Sequence, residues 1–188
     1  MKKIIMLVVA MIATVSANAQ QDAGTWSLTP KVALNLSNLA GDIENNSMKV
    51  GLAAGADVMY QVTDIIGLSA GLMYSMQGCE GDGDDKLNYD FINIPLVAHF
   101  YVAPNLALNV GLQPAIIASA KYKYNKTEVD VKDNLQSIAL DVPLGISYEI
   151  SDFVIDARYN LGLAKVNKHN GSIRNSVFQL SVGYKIPF

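Results

Sequence analysis

The chain has 188 residues, with 14 Lys and Arg against 17 Asp and Glu, a formal net charge of −3. Mild acidity gives no basic footprint for nucleic acid, and the single cysteine, Cys79, excludes an internal disulfide. Half of the residues are hydrophobic (51%), an ordinary fraction that a half-apolar β-sheet protein shares with soluble domains.

Residues 1–19 read as a cleaved signal peptide. Lys2 and Lys3 supply the positive start, an apolar run follows over 4–15, and Ala17-Asn18-Ala19 is a small-x-small cleavage site. The run is well short of the roughly 20 residues that span a bilayer as a helix. The mature domain is then 20–188, beginning at Gln20. Removing Lys2 and Lys3 leaves 12 basic against 17 acidic residues, a formal charge of −5.

Eight segments then alternate with a period of two, the mark of strands with different surroundings on their two faces. They are 26–36, 48–62, 66–77, 89–102, 106–118, 138–150, 153–163 and 176–188. The second sets Val50, Leu52, Val58, Tyr60 and Val62 against Lys49, Gly51, Asp57 and Gln61. The last sets Phe178, Leu180, Val182, Tyr184, Ile186 and Phe188 against Gln179, Ser181, Gly183 and Lys185. Tight turns at 63–64, 103–105 and 151–152 alternate with long polar loops at 37–47, 78–88, 119–136 and 164–175. Short turns on one rim and long loops on the other predict an all-β, eight-stranded antiparallel up-and-down transmembrane barrel. Its turns are periplasmic and its loops extracellular. Closure removes the sheet edges that lipid does not tolerate.

Trp26, Tyr60, Phe100, Tyr148, Phe153, Tyr184 and Phe188 fall near the short-turn ends on the apolar parity. They predict an aromatic girdle at one membrane interface. Tyr74, Tyr122 and Phe178 are candidates for the opposite girdle. Pro30, Pro95, Pro114 and Pro143 sit inside predicted strands, where each removes a ladder donor, and are expected to mark bulges or bends.

Several segments resemble the PorT-like outer-membrane β-barrel family of Bacteroidetes. They are Leu34-Asn35-Leu36-Ser37-Asn38-Leu39, Tyr74-Ser75-Met76-Gln77-Gly78, Asn93-Ile94-Pro95-Leu96, Arg158-Tyr159-Asn160-Leu161-Gly162-Leu163 and Val182-Gly183-Tyr184 with the terminal Phe188. The resemblance covers essentially the whole mature chain. It implies an integral outer-membrane barrel, carries over no catalytic residues, and implies that Phe188 acts as a signal for the barrel-assembly machinery.

The other parity carries Lys31, Arg158 and Lys185 with Asp57, Asp141, Glu149 and Asp156. A barrel of eight strands is narrow enough for side chains to fill it, and buried charges there have to pair. The expected arrangement is a lumen charge network with Arg158 bonded to Asp141 or Asp57; its rival is an ion path or proton relay. In the second long loop Cys79-Glu80-Gly81-Asp82-Gly83-Asp84-Asp85 is dense in carboxylates. It lacks the Glu that closes a calcium loop, so it reads as a solvated acidic loop. Cys79 would be solvent-exposed. His99 lies on the lumen parity and His169 in the fourth loop beside Asn170 and Ser172, with no partner carboxylate positioned by the sequence. Lys121-Tyr122-Lys123-Tyr124-Asn125-Lys126 reads as a solvated loop with Tyr122 at the interface, and sugar or lipopolysaccharide phosphate is its candidate contact.

The expected protein is therefore a non-enzymatic outer-membrane barrel of a Gram-negative bacterium, with a structural or surface-interaction role and a side-chain-filled lumen. No cofactor, metal or nucleic acid is expected. The expected partners are outer-membrane lipid, lipopolysaccharide, the barrel-assembly machinery and an extracellular ligand at the long loops. The alternatives are a narrow pore for ions or small solutes, an outer-membrane hydrolase or acyltransferase, and a soluble periplasmic ligand-binding barrel. The last would turn its apolar face inward and its charges outward.

Overall fold

Alternation of Val, Leu and Ile with Gly, Ser, Asn and charged residues gives every extended segment one apolar and one polar face. A computed structural model of the protein describes residues 22–40, 47–80, 86–124, 127–130, 138–165 and 174–188. Among them the chain forms strands only: β1 (Trp26–Ala40), β2 (Ser47–Thr63), β3 (Ile66–Glu80), β4 (Lys86–Asn93), β5 (Leu96–Ala103), β6 (Leu106–Tyr124), β7 (Thr127–Asp130), β8 (Ile138–Ile150), β9 (Phe153–Lys165), β10 (Arg174–Tyr184) and β11 (Ile186–Pro187). β4 and β5 are two halves of one barrel strand, and so are β10 and β11. β7 only extends the β6 hairpin beyond the barrel. All pairings are antiparallel, and β10 pairs back to β1 to close eight strands into a barrel.

The register fixes a steep stagger. Ser27 pairs Met59, Met59 pairs Ser69, Ser69 pairs Val97 and Val97 pairs Gly111. Opposite Gly111, Pro143 pairs Asn160, Asn160 pairs Val177, and Val177 meets Ser37, ten residues further along β1 than the start. Strands so staggered lean on the order of 40° from the barrel axis.

The three short connections are the two-residue turns Asp64-Ile65, Pro104-Asn105 and Ser151-Asp152. Asn105 (φ 66°) and Ser151 (φ 53°) adopt the left-handed conformation, which Asn tolerates better than most residues. Each turn is tied to a neighbouring strand. The carbonyls of Ile65, Asn105 and Asp152 accept from the backbone N–H of Tyr101 (2.9 Å), Glu149 (2.8 Å) and Lys185 (2.6 Å).

The prolines do not mark the bulges. Pro30 faces Ala56, Pro114 faces Leu140 and Pro143 faces Asn160, all in register. Pro95 interrupts the ladder between β4 and β5, yet Asn93–Met73 and Leu96–Ala70 hold one register on both sides of it. A proline removes one donor and keeps its acceptor: the Gly71 N–H bonds the Pro95 carbonyl at 2.9 Å, and the Ile94 N–H bonds the Pro114 carbonyl at 2.8 Å. The register shifts lie elsewhere, at Met48/Ala53, Gln61/Thr63, Asp90/Phe91, Tyr101/Ala103 and Arg174/Ser176.

The outward face is apolar all round the barrel, and the buried polar residues lie on the inward face. Outward residues such as Val32 (63% exposed), Leu52 (59%) and Leu180 (43%) form an apolar belt around the barrel, while the inward Asn35, Ser75, Gln113, Arg158 and Gln179 are buried. Water-soluble monomers rarely leave apolar patches beyond about 300–600 Å² uncovered. An interior that carries charges and amides among its apolar groups, under a continuous apolar exterior, is the inside-out arrangement of a barrel in lipid. The inward face is not apolar throughout as a soluble ligand carrier requires, so that alternative is set aside.

Candidate functional site

The inward charges gather in the half of the lumen nearer the short turns. Lys31 from β1 reaches diagonally to Asp57 on β2 and forms an ion pair. Gly71 of β3, which pairs Asp57, makes this possible: a Cβ there would fall on the Asp57 carboxylate. Lys185 Nζ holds both oxygens of Glu149 at 2.8 and 2.9 Å, and the Tyr101 hydroxyl donates to the same carboxylate at 2.6 Å. Arg158 Nε bonds Asp156 Oδ1 at 2.6 Å, with both side chains buried. The room for Arg158 comes from Gly145 on β8, where a Cβ would stand 2.7 Å from the Cβ of Arg158.

This corrects the expected partner of Arg158. It pairs neither Asp141 nor Asp57 but Asp156, two residues away on the same strand and the same face. Asp141 is buried, and among the described residues no cation bonds it; Gln113 Nε2 reaches it at 3.4 Å, and its Oδ1 has no hydrogen-bond partner there. Of the seven predicted network residues, Lys31, Asp57, Glu149, Asp156, Arg158 and Lys185 form three ion pairs, and Asp141 stands apart.

A second chain of bonds runs through His99. Its Nε2 lies 2.8 Å from Ser69 Oγ, and its Nδ1 lies 2.8 Å from Asn109 Oδ1. Asn109 Nδ2 in turn donates to Asp156 Oδ2 at 2.8 Å. The carboxylate accepts only, so it sets the orientation of the amide, and the amide oxygen then sets the histidine tautomer. The proton sits on Nδ1, and Nε2 presents its lone pair to the Ser69 hydroxyl. Ser69, Tyr101 and Asn109 join this site in addition to the residues expected from the sequence. Their shared signal is a polar residue on the inward parity near a short turn.

Ser69, His99, Asp156, Arg158 and Lys185 line a cavity of about 40 Å³, room for two or three waters at ~10–15 Å³ each. Beyond it, toward the long loops, the inward positions carry Met73, Tyr89, Phe91, Ile117 and Val177, each at most 2% exposed. These side chains point into the outer half of the lumen, whose bore is narrow in a barrel of eight strands.

The aromatic residues of the short-turn rim face outward in pairs. Trp26 and Tyr60 have ring centroids 4.8 Å apart, and Phe153 meets Tyr184 edge-on at 5.3 Å. The Tyr184 hydroxyl donates to Asp152 at 3.1 Å, polar tip toward the turn as an interfacial residue requires. Phe100 and Phe188 are exposed on the same rim, and Tyr148 is half-buried. The Phe188 N–H bonds the Trp26 carbonyl at 2.9 Å, seaming the chain end to the first strand. Tyr74 and Phe178 are exposed outward nearer the loop side. The side chains of Tyr122, Cys79 and Glu80, residues 81–85, His169 and the Lys121–Lys126 side chains lie outside the described residues, and so do residues 1–19. Among the described residues no group of His, Cys, Asp and Glu is arranged to hold a metal.

The sequence model of the family described as an outer membrane protein beta-barrel domain matches residues 18–168. Among solved structures, Neisserial surface protein A superposes with a TM-score of 0.59 at 16% identity, covering 86% of this chain and 97% of that one. Ail, the attachment invasion locus protein of Yersinia pestis, superposes with a TM-score of 0.55 at 16% identity, covering 87% and 99%. Ail in complex with the heparin analogue sucrose octasulfate gives 0.56 at 15% identity, covering 87% and 99%. No curated protein matches the chain.

Proposed function

Because the chain belongs to the outer membrane protein beta-barrel domain family and resides in the outer membrane, we infer that it is a closed scaffold presenting its long loops to partners outside the cell. The observation that carries this reading is the narrowed lumen. Three ion pairs crowd one half, and buried Phe91, Ile117 and Val177 narrow the other. The same observation places the narrow pore second. The PorT-like subgroup of this family is the proposed placement of the chain, with residues 1–19 its export signal.

The proposed partners are anionic saccharides, sulfated glycans or lipopolysaccharide phosphate, met by Lys121, Lys123 and Lys126 and by the basic stretch 164–175, which contains no Asp or Glu. The similarly folded Ail is known in complex with a heparin analogue, which supports the choice of chemistry. Surface lysines act on such ligands as point charges. The barrel in detergent micelles should bind immobilised heparin and elute with rising salt. Lys121→Glu/Lys123→Glu/Lys126→Glu should elute earlier, by a large fraction of the salt interval. Equal elution of the two proteins would remove these loops as the anion surface. Stepwise single-channel currents from the wild-type barrel in a planar bilayer would favour the pore instead.

A further inference from the structure

We propose that Ser69 is a nucleophile, with His99 as its general base, for short acyl or sulfonyl donors that enter the lumen from the short-turn rim. Nucleophile, base and orienting group stand in sequence at hydrogen-bond distance: Ser69 Oγ to His99 Nε2, 2.8 Å; His99 Nδ1 to Asn109 Oδ1, 2.8 Å. This is the mutual geometry that activates a hydroxyl. Asp156 supports it from behind, holding Asn109 at 2.8 Å and so fixing the tautomer that leaves Nε2 free to take the Ser69 proton. Asn109 and Asp156 are positioning residues.

The surroundings supply the remaining parts. Ser69, His99 and Arg158 line the same cavity, and the buried Arg158 Nη1 has no hydrogen-bond partner. A guanidinium donor lining the same cavity as Ser69 is available to an oxyanion that develops within it. The cavity of about 40 Å³ admits an acetyl-sized group and not a long acyl chain. Its lining reaches Thr29, Tyr101, Val154 and Lys185 near the short turns, while Phe91, Ile117 and Val177 narrow the lumen on the other side. Donors therefore come from the periplasmic mouth, past the Tyr101–Glu149–Lys185 cluster.

With an acetate ester, Ser69 Oγ bonds the carbonyl carbon as its proton passes to His99 Nε2. The bond to the leaving alcohol breaks, and His99 returns the proton to the departing oxygen. Water, deprotonated by the same base, then cleaves the acetyl-serine and restores Ser69. With methanesulfonyl fluoride the Oγ–S bond forms, the S–F bond breaks, fluoride leaves, and His99 accepts the proton. No redox partner is needed.

The test uses methanesulfonyl fluoride on the full mature chain folded in detergent, with the modified residue mapped by peptide mass spectrometry. The folded wild type should carry one methanesulfonyl group, on Ser69. Ser69→Ala should carry none, and His99→Gln should react about a hundredfold more slowly, within the range of general-base effects. Heat-unfolded wild type, which needs no variant to fold, should leave Ser69 unmodified. A folded wild type without the Ser69 adduct, or one labelled no faster than the unfolded chain, would overturn the proposal.

Discussion

Arg158→Leu should lower the unfolding free energy of the barrel by about 3–5 kcal/mol, the cost of leaving a buried partner charge uncompensated. Arg158 is 3% exposed and its Nε bonds Asp156 Oδ1 at 2.6 Å. Its removal leaves Asp156 held only by the neutral Asn109 amide. Leucine also fills the space less completely and cannot bond the polar groups around it. The effect should appear as a drop in the urea midpoint for the barrel refolded in lipid vesicles. The double variant Arg158→Leu/Asp156→Leu should recover much of the loss, because the stranded charge goes with it. A single variant within ~1 kcal/mol of wild type would show that these charges are not buried as a pair.

Leu180→Arg carries the second large effect, and from the opposite face. Leu180 lies mid-strand in β10, outward and 43% exposed, between the outward Phe178 and Val182. On a protein surrounded by water, replacing a partly exposed leucine by arginine falls within the usual ±0.5 kcal/mol of surface changes. At the middle of a bilayer the same change costs ~2–4 kcal/mol. The cost should shrink when the arginine is moved toward the rim, at Ile186, where the side chain reaches the headgroups. Refolding in vesicles and urea titration would compare the two positions. Equal and negligible costs at both would contradict a lipid-facing belt.

The barrel was legible because its signals are local. Period-two alternation marks each strand without knowledge of its neighbours, and turn residues such as Pro104-Asn105 and Ser151-Asp152 end them. All eight predicted strands form, but they run on into the expected loops, β1 to Ala40, β3 to Glu80 and β6 to Tyr124, and β7 lies wholly within one of them, because the hairpins keep pairing where the alternation fades. The outward parity of Leu34, Leu52 or Leu180 follows from the alternation. Pairing inside the lumen is not local. Lys31 meets Asp57 only because β1 and β2 pair Lys31 with Gly55, which puts Asp57 one step along the same face. His99 meets Asn109 because β5 and β6 pair those two residues directly. Both depend on register, which the pattern of each strand does not carry. Arg158–Asp156 needs no register at all. Residues two apart on one strand share a face at about 6.6 Å, within reach of a folded-back guanidinium. A proline leaves the register unchanged because only its donor is lost: the carbonyls of Pro95 and Pro114 still accept from the N–H groups of Gly71 and Ile94 on the opposite strands.

The central claim is that the apolar belt faces lipid, with the short-turn aromatics at one interface. Trp26 is the only tryptophan of the chain and lies outward on that rim, 46% exposed and stacked on Tyr60, so its fluorescence reports the point directly. In vesicles containing lipids brominated at graded depths along the acyl chain, the folded barrel should show strongest quenching by bromines nearest the headgroups and weakest by those at the bilayer centre. No quenching at any depth, or quenching strongest at the centre, would contradict the account.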